Sequence, residues 1–265
     1  MEQPTAFPTA PQDVRREIRQ GRWARPTAGL APGYVQANLI VLPRLWAHDF
    51  LLFAQRNPKP CPVLEVTDPG SAEPRLTAPG ADLRTDLPKY HVWRCGELEA
   101  ESPEVTALWR DDLVAFLLGC SFTFESALLA AGLPVRHLEE DCNVPMYITS
   151  IECVPGGPFR GPMVVTMRPM PHALVPRAVL VTARYPAVHG APVHIGDPAV
   201  IGISDLSRPD FGDPVTLRAG ETPVFWACGV TSQAVARRAR PELMITHAPG
   251  HMFVTDLRDE HVAAS

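Results

Sequence analysis

Proline sets the strongest limit on how this chain folds. Thirty of the 265 residues are proline, about 11% against a usual ~5%. They are not gathered in one tract but fall along the whole chain, in Pro-Gly, Asn-Pro and single X-Pro steps. Each fixes φ and removes a backbone donor, so it ends a helix or is pushed to a strand edge or turn. Only short elements joined by many shaped turns fit that spacing. Loops held on such a scaffold are where sites are usually built.

Between the prolines, the apolar pattern marks elements. Residues 1–10 are expected to fray. Pro11–Arg22 reads as a helix with proline at its start. Gly33–Leu42 carries an apolar stretch. Pro43 opens a helix in which Trp46, Phe50 and Phe53 share a face, and the Pro58, Pro60 and Pro62 run must leave it. Val63–Val66 reads as a strand, residues 71–88 as loop, and Lys89–Arg94 as one arm of a hairpin that turns at Gly96. Ser102-Pro103-Glu104 looks like a helix start, with Trp109, Leu113, Phe116, Leu117 and Cys120 as its apolar face. Thr123–Ala131 reads as a helix stopped by Gly132.

The texture changes at residue 146. Met146–Cys153 and Met163–Met167 read as strands around a Pro155-Gly156-Gly157-Pro158 turn. Val175–Arg184 fits helix or strand. Val224–Cys228 reads as a strand, Thr231–Arg240 as a helix, and Leu243–Thr246 with Met252–Thr255 as a closing strand pair. Helices and strands without a strict βαβ rhythm imply an α/β class of the mixed α+β kind. Two closely packed α/β subdomains with mixed sheets are expected, residues 1–145 and 146–265, the second carrying most candidate site residues.

Composition narrows the function. Hydrophobic residues make up 46% and charged residues 20%, which suits a packed core. The formal net charge is -5, and no basic stripe suits a phosphate backbone, so nucleic acid is not an expected partner. Arg237, Arg238 and Arg240 precede Pro241, where cations at a helix C-terminus are routine. No apolar run approaches the roughly 18 residues of a membrane span, and Met1-Glu2-Gln3-Pro4 does not open a secretory leader. The six cysteines are widely spaced with no Cys-x-x-Cys pair, so a reducing, cytoplasmic setting is expected.

Four histidines lie in two short motifs, His189-Gly190-Ala191-Pro192-Val193-His194-Ile195-Gly196-Asp197-Pro198 and Thr246-His247-Ala248-Pro249-Gly250-His251. Pro249-Gly250 forbids a helix between His247 and His251 but suits a type II turn. Two rigid loops presenting His189, His194, His247, His251 and Asp197 fit an acid/base site, since imidazole titrates nearest neutrality. A lone loop histidine is more often a hydrogen-bonded surface residue. His and Asp also suit a divalent metal, although no metal signature is present. Cys120 precedes an expected helix, where a thiol pKa is lowered, though cysteine is also commonly buried. Cys228 lies where a strand enters a helix, a place for an anion. Arg84 and Arg168 suit a carboxylate clamp or a plain salt bridge. Asn143 suits an oxyanion donor or its own turn.

Taken together, these blocks resemble the hydro-lyase family that is grouped with D-glutamate cyclases. The resemblance runs through Arg56-Asn57-Pro58-Lys59-Pro60-Cys61-Pro62, Asp82-Leu83-Arg84-Thr85-Asp86, Gly119-Cys120-Ser121-Phe122-Thr123-Phe124-Glu125, Asn143-Val144-Pro145-Met146-Tyr147, Met167-Arg168-Pro169, the His189–Pro198 loop, Phe225-Trp226-Ala227-Cys228-Gly229 and Thr246–Leu257. It covers nearly the whole chain in order. One departure is Ser150-Ile151-Glu152, where the family more often shows Asn-Ile-Pro.

The resemblance implies two packed α/β parts and a carbon-oxygen lyase acting on a small amino or carboxylic acid. If that acid is D-glutamate, the product is 5-oxo-D-proline and water. His194 and His247 are then cast as acid and base, Asn143 as an oxyanion donor, and Arg84 or Arg168 as the clamp. No cofactor is implied by the family, and a homo-oligomer is compatible with it. Two other readings compete: a metal-dependent hydrolase or amidase using the same histidines, and a non-catalytic metabolite-binding protein.

Overall fold

The structure is a computed structural model that describes residues 9–264. The expectation for the first ten residues therefore falls, up to residue 8, outside the described residues.

Eleven strands in two antiparallel sheets and six α-helices make up the described fold. Strand β1 (Tyr34–Pro43) is the axis of the larger sheet. Its burial is nearly continuous, as expected for a strand covered on both faces. Helix α1 (Pro11–Arg19) precedes it, and α2 (Arg44–Arg56) starts directly after Pro43 and packs Phe50 and Phe53 inward. The sheet runs β2-β5-β1-β10-β3-β4, with β11 also on β1. Here β2 is Val63–Val66, β3 Tyr90–Arg94, β4 Glu97–Ser102, β5 Leu113–Gly119, β10 Met244–His247 and β11 Phe253–Arg258.

The segment expected as a helix after Ser102 is different. Residue 102 ends β4, and Leu113–Gly119 is a fully buried strand beside β1, with Leu39 opposite Leu117. Seven unbroken apolar residues satisfy a two-sided strand as well as a helix, and only the neighbouring strands decide between them. Each Leu or Phe sealed there contributes about 1.5–3 kcal/mol.

The second sheet has the order β6-β7-β9-β8, with β6 Met146–Glu152, β7 Pro162–Pro171, β8 His194–Ile195 and β9 Glu221–Ala227. Among the described residues the strand pairings of both sheets are antiparallel, so the mixed class takes its α+β form rather than a parallel crossover one. Helix α3 (Glu125–Ala130), the one-turn α4 (Arg136–Glu139), α5 (Val175–Ala183) and α6 (Val230–Ala239) complete the set. The ambiguous 175–184 segment is thus a helix. After α6 the chain returns to the first sheet.

The two closing strands do not pair with each other; both lie along β1. Ile40 faces Thr246 and Ala37 faces Phe253, so a short piece of β1 faces a longer piece of its partner. The excess is taken up by a turn at Ala248-Pro249-Gly250-His251. His251 N–H donates to the Ala248 carbonyl at 2.9 Å and Gly250 sits at φ +83°, as a type II turn requires. One strand is in effect broken by a tight loop at the centre of the sheet.

Candidate active site

In a packed interior the facing sides of two layers should be apolar. On β7, Val164 and Met170 obey this, but Thr166 and Arg168 on the same face do not. Arg168 is fully buried. A buried guanidinium needs partners for its charge and its N–H groups. Its Nε donates to Glu125 Oε1 at 3.1 Å, Nη1 to Thr166 Oγ1 at 3.0 Å and Nη2 to Ser121 Oγ at 3.1 Å, with a further bond from Nη2 to Glu125. The cation also lies 5.3 Å from the Phe124 ring centroid and 5.5 Å from that of Trp226, which adds ring-quadrupole attraction.

Glu125 is the first residue of α3, where a negative charge suits the helix dipole. Burial pushes its carboxyl upward, but His137 and Arg168 outweigh that and hold it below the usual carboxylate range. His137 Nε2 stands 3.1 Å from Glu125 Oε1, and its ring stacks on Phe122 at 6.0 Å. The short α4 that carries His137 is anchored by the buried Arg136, which binds Glu139, Glu221 and the Thr216 carbonyl. Glu125 Oε2, Gln36 Oε1 and His137 Nε2 are buried without a protein hydrogen-bond partner, so the 3.1 Å approach of His137 to Glu125 is a charge contact rather than an aligned hydrogen bond.

Three recesses meet around this cluster. A narrow, water-sized recess of about 10 Å³ is walled by Asn38, Cys120, Phe122, Thr166, Cys228 and His247. A recess of about 90 Å³ touches Gln36, Phe122, Glu125 and Leu138. An open cleft of about 320 Å³ is lined by Trp23, Arg25, His137, Asp141, Asn143 and Asp213, among others. That cleft is at the small end of ligand sites.

The structure brings together some of the residues singled out from sequence and separates others. His247, Cys120 and Cys228 share the narrow recess, and Arg168 lies beside Ser121 and Thr166 on its wall. His247 is wholly buried, and burial drives its pKa down to about 3. Its Nδ1 lies 3.1 Å from both the amide nitrogen and the carbonyl oxygen of Leu39. The ring thereby fills the gap in the β1 ladder left by the broken strand, and Gln233 of α6 donates to the His247 carbonyl at 3.0 Å. His251 turns back on its own loop, Nδ1 being 3.0 Å from the Pro249 carbonyl, and burial lowers its pKa.

His189 is also buried, at φ +82°, with its Nδ1 2.8 Å from the Lys59 carbonyl. Burial brings its pKa to about 4. His194 lies on the edge strand β8, outside these recesses. Its Nε2 is 2.7 Å from the Asp197 carbonyl, and the Asp197 carboxylate caps the following turn by accepting from Ala199 N–H at 3.0 Å. The expected meeting of His194 and Asp197 with His247 does not occur in any of the three recesses. The cause is topological: β8 joins the rim of the second sheet, whereas β10 is central in the first.

Arg84 is spent on its own loop, its Nε and Nη2 each 2.8 Å from Asp82. Asn143 lines the open cleft, its Nδ2 donating to the Pro249 carbonyl at 3.2 Å. The cysteines depart from the thiolate expectation. Cys120 directly follows strand β5 rather than opening a helix, and burial pushes its thiol far above the ordinary range; Cys228 is raised to about 11. Among the described residues no three His, Cys, Asp or Glu side chains gather so as to hold a metal ion, and no helix is long and apolar enough to cross a membrane.

Sequence reasoning passed over Glu125 and His137, although the first carried a signal. Glu125 is the sole charged residue between Leu113 and Ala131, and a lone charge in an apolar run is either a partnered interior group or a site. His137, among Arg136, Glu139 and Glu140, reads as solvated helix surface.

Residues 114–256 match the family model described as D-glutamate cyclase. "Putative hydro-lyase GK2103" of Geobacillus kaustophilus (strain HTA426) is 65% identical over 97% of this chain and 98% of its own length. "Putative hydro-lyase" of Stutzerimonas stutzeri (strain A1501) is 66% identical over 96% of each. A solved structure, that of a nitrogen repressor-like protein from Methanococcus jannaschii, aligns over 90% of this chain and 92% of that one with a TM-score of 0.40 and 10% identity. With near-complete coverage by such relatives, the chain belongs to the D-glutamate cyclase family.

Proposed function

We propose that the chain is a hydro-lyase acting on a small amino acid, with D-glutamate as substrate and 5-oxo-D-proline and water as products, and that the reaction takes place in the cleft floored by His137. One observation carries the reading: an imidazole lining an open cleft is backed at 3.1 Å by a buried carboxylate that is itself locked to a buried arginine. Such a carboxylate–imidazole pair fixes ring orientation and supports a proton carrier.

The charges of the cleft suit a zwitterion. Arg25, its guanidinium 4.5 Å from the Trp23 ring centroid, is placed to meet a carboxylate, and Asp141 and Asp213 to meet an ammonium. In the reaction the amine nitrogen, once deprotonated, attacks the side-chain carboxyl carbon. A C–N bond forms, a C–O bond breaks, and the oxygen leaves as water after taking up two protons, both given up by the ammonium nitrogen. His137 accepts each proton in turn from nitrogen and returns it to the departing oxygen. Glu125 is a positioning residue that holds the ring, and Arg168 holds Glu125.

The test is 5-oxoproline formation by the purified protein from each glutamate enantiomer. The expected result is turnover of D-glutamate, and a His137→Asn variant of unchanged circular dichroism with kcat lowered by about 10²–10⁴. Turnover of another small acid in its place would remove D-glutamate, and an undiminished kcat in the variant would remove His137.

A further inference from the structure

A cleft of about 530 Å³ lies away from the His137 site, between the β3–β4 turn, β6 and the C-terminal end of α6. We propose that it binds a phosphate-bearing small molecule of about nucleotide size. Three guanidinium groups line it, Arg237, Arg238 and Arg240, and two of them are held by contacts with the β3–β4 hairpin. Arg237 lies over the Trp93 ring, 5.0 Å from its centroid. Arg240 Nε donates to the Cys95 carbonyl at 2.9 Å. Arg238 crosses Gly161 so closely that a Cβ there would stand 3.0 Å from Nη1.

Cations at a helix C-terminus offset a dipole of roughly half a charge. Three full charges exceed that need several-fold. No carboxylate neutralises them: Glu97 is the one acid in the lining, and none of the three arginines forms an ion pair among the described residues, whereas Arg94, Arg110 and Arg136 each do. The excess is local, because the chain as a whole carries -5. Guanidinium forks match phosphate oxygens in pairs. The remaining wall is apolar, with Phe211 and the 40% exposed Ile148 facing the same space, which suits the carbon body and flat ring of a nucleoside. The volume lies in the range of small-molecule sites. Free phosphate shares the anionic chemistry but leaves that wall empty.

The experiment is titration calorimetry on the full chain with the four ribonucleoside monophosphates, the matching nucleosides and inorganic phosphate. At least one monophosphate is expected to bind ten-fold or more tightly than both its nucleoside and inorganic phosphate. Arg238→Glu, at an exposed position, is expected to weaken it ten-fold or more, and Arg237→Gln likewise, with melting temperatures close to that of the unaltered protein. The proposal is overturned if no monophosphate binds, if inorganic phosphate or the nucleoside binds as well, or if Arg238→Glu binds with unaltered affinity. Because binding is read directly, the outcome does not depend on what the His137 cleft catalyses.

Discussion

His137 and His247 are both almost completely buried, one on a one-turn helix and the other at the centre of a sheet. They differ in what they touch. His247 faces the backbone of Leu39 and the amide of Gln233, so its ring completes a broken β-ladder. His137 faces Glu125, behind which stands Arg168, and the residue adjoins an open cleft. Burial alone does not mark an imidazole as chemical. A charged partner on one side and space for a ligand on the other do.

The comparison breaks first at Glu125. If that carboxylate balances Arg168, Glu125→Ala leaves an unpaired interior guanidinium and lowers unfolding free energy by about 3–5 kcal/mol. Urea denaturation measures this, and a loss under 1 kcal/mol would contradict the pairing, being what an ordinary surface change costs at most.

Acid sharpens it next. His189 and His247 are neutral in the fold, with pKa values of about 4 and about 3. In the unfolded chain each returns to about 6.5. The unfolded state therefore binds more protons over that window, and stability falls as pH drops from about 6.5 toward 4. The His189 shift alone amounts to roughly 3 kcal/mol across its range, at 1.36 kcal/mol per unit. Denaturation midpoints that stay level between pH 6.5 and 4 would contradict the buried, neutral state of both rings.

A smaller effect separates the two imidazoles directly. His247→Phe keeps a flat ring, slightly larger, but strands the Leu39 backbone groups, at a cost of about 1–3 kcal/mol, while leaving the His137–Glu125 contact intact. Equal stability of variant and parent would show that the ring does not complete the ladder. Smallest of all is His194→Ala. With its ring on a rim strand and bound to its own loop, the change is expected within about 0.5 kcal/mol, with turnover preserved. A collapse of turnover would return catalysis to the 189–198 loop.

Some of this was legible in the residues. The proline punctuation, the helix over 44–56, the hairpin turning at Gly96 and the turn at Pro249-Gly250 follow from local rules, because φ restriction and capping act within a few residues. Arg168 is legible at a strand end before Pro169 as a candidate carboxylate clamp or salt bridge. The Leu113–Gly119 strand did not, since an unbroken apolar run has no period to read. Glu125 and His137 were hidden for a different reason. They lie close in sequence but become a pair only when Arg168, far along the chain, is inserted between the layers.

The sequence by itself determined the family, the mixed class and the short-element character, because those depend on motif order and on the local stiffness of proline. Tertiary structure alone decided which histidine meets a carboxylate and which meets backbone. That choice depends on strand order: placing β10 at the centre of one sheet and β8 at the rim of the other sends two similar motifs into unlike surroundings. Long-range pairing is set by burial summed over the whole core, and no short stretch of residues encodes it.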